Sequence, residues 1–456
     1  MAGKIERVNG KELSYKEFVE RYLVKNQPVV LTGLMDDWKA CKDWVSEDLK
    51  PNFQFFSTHF GNSRVQVAEC GKREFTDQKR VEMTVSELIN QWLEMSNKDL
   101  EENDRSLLYL KDWHFVKEYP GYVAYTTPLF FRDDWLNLYL NSYHMHVDPD
   151  TYQETNDISC SDYRFVYMGA KGTWTPLHAD VFRSYSWSAN ICGKKQWHFL
   201  SPSQCHLVFD RNMKNSVYDI FDDVSEAKFP GFKKAIWVEC IQGKDEIIFV
   251  PSGWYHQVHN LEDTISINHN WFNGHNLSWV WKLLVKDYHE AKSYIEDIRD
   301  ISDDFEGLCQ RNLAANTGMN FSDFFILITR FSLANLIHVY SNKDLSTYTQ
   351  HFVLNLISTR NVCLSMKSID AMKENTSMVL DLEEILREPL FSELLKDLES
   401  TYRMICDGRI GGNETSNVGV EDLELPPEVG CTRVYCPDDL VRVIDTIFAN
   451  LGVENS

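Results

Sequence analysis

The 456-residue chain has no run of about 18 consecutive apolar residues, so no segment reads as membrane-spanning. Its start, MAGKIERVNG, carries no apolar signal segment. The eleven cysteines include no CxxC pair, and the closest two, Cys431 and Cys436, match no zinc spacing. Free thiols in a reducing compartment are expected, the cytoplasm first and the nucleus as a further location. Positive charge is scarce: 46 Lys and Arg stand against 68 Asp and Glu, a net charge of -22. Such a surface repels phosphate backbones, so direct nucleic-acid binding is not expected, whereas a basic protein partner would suit it. No internal repeat occurs.

Aromatic residues are plentiful at 13%, which fits a β-rich body with a well-filled interior. LSYKEFVERYLVKNQPVVLTG (13–33) reads as an amphipathic helix and a short strand divided by Pro28. SRVQVAEC (63–70) alternates like a strand, TVSELINQWLEM (84–95) has helical spacing with Thr84 as N-cap, and SLLYLKDW (106–113) returns to strand character. Residues 136–162 are polar and acidic and read as a long loop, with His144 and His146 as solvated side chains.

From 163 to 271 short strand-like runs recur between Gly and Pro residues, as in YRFVYMG, SYSWSANICG, KQWHFL, DEIIFVPSG and TISINHNW, which indicates a sandwich or barrel. Helical patterns take over after 275. A polar stretch at 407–420 reads as a flexible connection before a last helix near 437–451. The expected organisation is an N-terminal α/β part (1–135), a β core (136–280) and a helical region (281–456). The helices of the last region have three open roles: covering the barrel, a homodimer interface, or a grip on a partner.

TWTPLHADVFRSYSW (173–187) places His178 and Asp180 two apart, on one face if both lie in a strand. VPSGWYHQVHN (250–260) supplies His256 and His259, which face opposite sides of a strand, with His256 near its start. Two histidines and a carboxylate on one side of an ion form the facial triad of non-haem iron oxygenases, with positions left for cosubstrate and oxygen. HxD alone is a weak signal. GKKQW (193–197) adds a lysine on a neighbouring strand, and a buried ammonium needs an anion. In TISINHNW, Ser266, Asn268 and Asn270 share one face, which implies a wet or ligand-filled cavity.

HAD, then GKKQW, then VPSGWYHQVHNLEDTISINHNW resembles the JmjC-type Fe(II)/2-oxoglutarate oxygenases, across most of residues 105–280. The resemblance implies an α+β fold around a cupin, or double-stranded β-helix (jelly-roll), core with N-terminal helices and strands and a helical C-terminal region. It implies Fe(II) on His178, Asp180 and His256, with 2-oxoglutarate and O2 as cosubstrates. It assigns 2-oxoglutarate binding to Lys195, through the pattern G-x-K-x-W, and to Tyr109, Thr175 and Asn270. At 268, where related hydroxylases carry a threonine, this chain has asparagine. The implied activity is protein hydroxylation, and among the nearest members hydroxylation of a lysine C–H in the eukaryotic translation termination (release) factor. A lysine demethylase shares the chemistry, but no zinc-finger cluster or histone-reading module is evident. The third reading is a non-catalytic cupin-fold binding protein, a class that usually loses a ligand or the lysine. The role of Arg183, Tyr185 and Trp187, beside HAD, stays open between packing and substrate contact.

Overall fold

The computed structural model describes residues 4–96, 107–145, 162–341, 347–373, 380–407 and 432–452. The chain divides into two compact units, residues 1–128 with 163–270 and residues 129–162 with 271–456.

The first unit is built on strands. In its N-terminal part these are β1 (Glu6–Asn9), β2 (Val29–Thr32), β3 (Arg64–Glu74), β4 (Asp77–Thr84) and β5 (Leu108–Trp113). Then follow β6 (Arg164–Gly169), β7 (Trp174–His178), β8 (Tyr185–Cys192) and β9 (Lys195–Leu200). The last four are β10 (Val238–Gln242), β11 (Glu246–Val250), β12 (Tyr255–Asn260) and β13 (Thr264–Trp271). A nine-stranded sheet runs β1-β2-β11-β8-β13-β6-β5-β3-β4, and a four-stranded sheet runs β10-β9-β12-β7. Side chains of both sheets line one cavity, the arrangement of a jelly roll.

Alternation explains how a barrel interior can be polar. β8 (YSWSANIC) is buried at every residue, so both of its faces pack. Ser186 and Ser188 face the cavity, whereas Tyr185 and Trp187 are fully buried in the packing on the other face. Tyr185 donates to the Leu23 carbonyl at 3.1 Å, and Trp187 lies 4.2 Å from the His269 ring. Packing therefore accounts for these two residues.

Gly193 turns β8 into β9 at φ +74°, where a Cβ would sit 2.2 Å from the Asp263 carbonyl oxygen. Only glycine fits there. Helix Val85–Ser96 starts as its sequence predicts, with the Glu87 amide donating to Thr84 Oγ1 at 3.2 Å and the Glu87 carboxylate accepting from the Thr84 amide.

The second unit is helical, with long helices Leu277–Tyr294, Phe305–Thr317, Phe321–Ser341, Thr347–Met366, Pro389–Asp407 and Pro437–Leu451. Phe321–Ser341 is long and apolar enough to cross a membrane, but 78% of its most apolar window is buried inside the protein, so it is a core helix here. The expected loop at 136–162 begins instead as helix Trp135–Ser142, because Trp135, Leu136, Tyr139 and Leu140 form one buried stripe. Trp135 stacks on Phe331 with centroids 4.6 Å apart. Residues 146–161 of that loop, with His146, and nearly all of the connection at 407–420 lie outside the described residues.

Replacing Gly193 by alanine is expected to destabilise the barrel by more than about 1 kcal/mol, since the backbone conformation is incompatible with a side chain. Denaturant titration followed by tryptophan fluorescence would measure this, and an unchanged midpoint would contradict it.

Candidate metal centre

His178 ends β7 and His256 is the second residue of β12; the antiparallel register sets them directly opposite one another. That register slips by one residue between His256 and Val258, on the side of β7 that carries Pro176. Proline has no amide hydrogen for the ladder, so it is tolerated at a bulge of an edge strand such as β7. The two imidazole centroids stand 4.3 Å apart.

Each ring is fixed through Nδ1, His178 to the Pro176 carbonyl at 2.8 Å and His256 to the Trp254 carbonyl at 3.1 Å. A carbonyl only accepts, so Nδ1 carries the proton and Nε2 keeps its lone pair. Burial, and then the neighbouring His256, pushes His178 down to about 4, so it is neutral and ready to ligate at neutral pH.

Asp180 reaches the same point by another route. It lies beyond the end of β7 and opens the short turn Val181–Arg183, so the same-face strand spacing does not apply to it. Ser186 Oγ donates to Asp180 Oδ2 at 2.8 Å and orients the carboxylate. The ligand atoms of His178, Asp180 and His256 all lie within 4.8 Å of one another. Among the described residues no other trio of His, Cys, Asp and Glu converges in this way, and His144 belongs to none. His259 faces away and stacks on Trp174 at 5.6 Å.

The cavity of about 450 Å³ is also lined by Lys195, Tyr109, Thr175 and Asn270, so all seven residues singled out in the sequence meet there, together with Asn268. Lys195 begins β9 and is 2% exposed. Its Nζ donates to Ser266 Oγ at 2.8 Å and to Tyr109 Oη at 3.3 Å, and no described carboxylate pairs with it. Burial and the repulsion of Lys111 lower its pKa to about 7. Burial also pushes the Tyr109 phenol well up, which keeps it a neutral donor. Asn270 Nδ2 donates to Ser184 Oγ at 3.3 Å.

Register supplies a ruler. His256 is paired with Phe199, four residues along β9 from Lys195 and on the same face. At about 3.3 Å per residue the two backbones are roughly 13 Å apart along the sheet, room for a lysine side chain and a short dicarboxylate. The donor set suits a hard or borderline divalent metal with open positions, and the uncompensated ammonium suits an anion at the far end.

Other lining residues were overlooked in the sequence. Lys111, two residues after Tyr109 and hence on its face, is buried and donates to Gln78 Oε1 at 2.9 Å. Tyr163, just before β6, and Phe165 and Tyr167 within it alternate inward. Arg80 bridges Asp77 and Asp112 at 3.2 and 3.1 Å, and Asp112 accepts from Tyr167 at 2.6 Å. The two-residue alternation in LYLK and YRFVY was the available signal.

Linkage gives a sign for Lys195. Below about 7 the folded and unfolded chains both hold its proton, and the burial penalty is constant. Between about 7 and the ordinary value of 10.5 the unfolded chain holds more protons, so stability of the ligand-free protein rises with pH. Lys111, lowered to about 8 by burial and then Arg80, adds a slope of the same sign. In thermal unfolding across this window the wild-type slope should exceed that of Lys195→Met; an equal or larger slope in the variant would contradict the assignment.

The cupin-like domain model matches residues 15–276. Arginine-specific demethylase JMJ20 of Arabidopsis thaliana is 61% identical over 411 residues, covering 88% of each chain. The 2-oxoglutarate and iron-dependent oxygenase JMJD4 of Danio rerio is 41% identical over 318 residues, covering 69% of this chain and 71% of that one. Its Homo sapiens counterpart is 36% identical over 316 residues, covering 68% and 72%. With a jelly-roll core, a His–Asp–His cluster and these relatives, the chain belongs to the cupin-like JmjC family of iron- and 2-oxoglutarate-dependent oxygenases.

Proposed function

We propose that this oxygenase hydroxylates a lysine side chain of a protein, with the eukaryotic translation termination (release) factor as substrate. In this reading His178, Asp180 and His256 hold the iron. Lys195 pairs with the distal carboxylate of 2-oxoglutarate, helped by the hydroxyls of Tyr109 and Thr175, and Asn270 stands by its metal-bound end. Bound iron and 2-oxoglutarate together supply oxidative decarboxylation to succinate and carbon dioxide, coupled to insertion of one oxygen atom of O2 into a substrate C–H bond.

The chain's own residues do the rest. The Nδ1–carbonyl bonds fix the tautomer and the aim of both imidazoles, and Ser186 keeps the carboxylate turned. Lys195 and Tyr109 fix the direction of the cosubstrate by charge-assisted and neutral hydrogen bonds.

The observation that carries the substrate class is the aromatic wall on β6. Tyr163, Phe165 and Tyr167 present rings to the cavity, Phe165 and Tyr167 nearly parallel with centroids 6.3 Å apart. Half-exposed Asp77 and Asp112 border the same space. Aromatic faces beside carboxylates attract an organic cation such as a lysine head. The chain's net charge of -22 also favours a basic partner. The release factor itself is supported by the JMJD4-like motifs.

A second reading, removal of an N-methyl group from arginine, is favoured by the name of the 61%-identical Arabidopsis relative. The same wall admits a methylguanidinium, and the readings differ in which carbon is oxidised. Hydroxylation of a side-chain methylene leaves one added oxygen, whereas hydroxylation of an N-methyl group releases formaldehyde.

Purified protein with Fe(II), ascorbate, 2-oxoglutarate and recombinant release factor should form succinate and add one oxygen to a lysine, without formaldehyde. Formaldehyde from a methylarginine peptide, with an unmodified release factor, would select the second reading. His178→Ala should fall to background, and full turnover by that variant would overturn the metal assignment.

A further inference from the structure

The three proposed ligands are not held alike. The sheet ladder fixes His178 and His256, but Asp180 lies past the strand end, in a turn whose conformation sequence alone does not favour. Phe182 and Arg183, two successive residues with side chains, both take positive φ, +55° and +51°. Each such residue is strained and persists only where its surroundings enforce it. Phe182 is 1% exposed and packs edge-on to Tyr163 at 5.3 Å, which anchors one side of the turn. On the other side Arg183 Nη2 donates to Tyr255 Oη at 3.1 Å, with the guanidinium 5.1 Å above the ring. Tyr255 immediately precedes His256 and is buried among Leu177, Leu200 and Val208.

We infer that Arg183 is a positioning residue for the metal centre: it clips the Asp180 turn to the strand that carries His256, and so sets the carboxylate against the two imidazoles. Arg183 does not line the cavity and touches no ligand atom. It acts through Tyr255 and through the backbone of 180–183, where the Arg183 amide closes the turn on the Asp180 carbonyl at 3.1 Å. The planar guanidinium combines a directed hydrogen bond with stacking on the phenol ring, which an ammonium does less well. This inference rests on the metal assignment proposed above, and it answers the open role of Arg183: it is neither mere packing nor a substrate contact.

The test uses the whole chain and Co(II) alone, titrated without oxygen and followed by calorimetry and by the visible absorption that reports coordination geometry. Wild type should bind one Co(II), and His178→Ala should not. Arg183→Ala should bind about 10–100-fold more weakly with an altered spectrum, at a thermal midpoint close to wild type. Arg183→Lys should recover part of the affinity, and Tyr255→Phe, which keeps the ring and loses the hydroxyl, should fall between. Arg183→Gly separates the clip from simple relief of strain, because glycine adopts the turn freely but has nothing to hold it with. Under the clip it binds as weakly as the alanine variant. Wild-type affinity and spectrum in either Arg183→Ala or Arg183→Gly would overturn the inference, and if the alanine variant does not fold, the Lys, Gly and Phe variants decide. Absence of Co(II) binding by the wild-type chain would instead overturn the metal assignment, and the clip with it.

Discussion

The pairing of β7 with β12 that puts His178 across from His256 is the constraint on which the site depends. A shift of one residue would turn one imidazole out of the cavity, because alternate side chains leave opposite faces. The bulge at Pro176 belongs to this constraint, since it ends the regular ladder where the strand must deliver a histidine and then release Asp180. The pairing of β12 with β9 extends the same frame, placing Lys195 at a fixed distance on the same wall.

The two sheets divide the work. The outer faces are filled by aromatic packing, such as Tyr185 against Phe249 at 5.3 Å and Trp187 against His269 at 4.2 Å. The inner faces give up that packing for Ser186, Ser188, Ser266, Asn268 and Asn270 around two buried ammoniums. A buried ammonium without a counter-charge opposes stability, and an anion at Lys195 would relieve it, so the same desolvation that weakens the free protein would strengthen binding of an anion there. His178 follows the same logic: burial keeps a proton off a nitrogen that a metal would otherwise have to displace.

Much of this was legible in the sequence, where it rests on period-two alternation. The strands 164–169, 185–192 and 264–271, the lysine of GKKQW and the pair His178/His256 follow from which residues share a face. Asp180 converges as expected but for another reason, since a turn, rather than a continuing strand, carries it inward. Helix Trp135–Ser142 was hidden by the acidic segment after it, which dominated the composition of the window. Contacts between distant positions had no local signature. Arg183 finds Tyr255 seventy-two residues on, and Asp112 joins Arg80 and Tyr167 through a bulged strand end at φ +57°. Geometry of that kind is set by tertiary closure of the barrel, which no window of sequence contains.

One face of the small sheet offers both the histidines for a metal and, about four residues along, an ammonium for an anion. Diffraction from crystals grown with Mn(II) and 2-oxoglutarate, with anomalous data collected for the metal, would show whether both are held there. A single strong anomalous peak is expected within bonding distance of His178 Nε2, the Asp180 carboxylate and His256 Nε2, with the dicarboxylate running from it to Lys195 Nζ. A metal peak elsewhere, or a dicarboxylate bound away from Lys195, would contradict it.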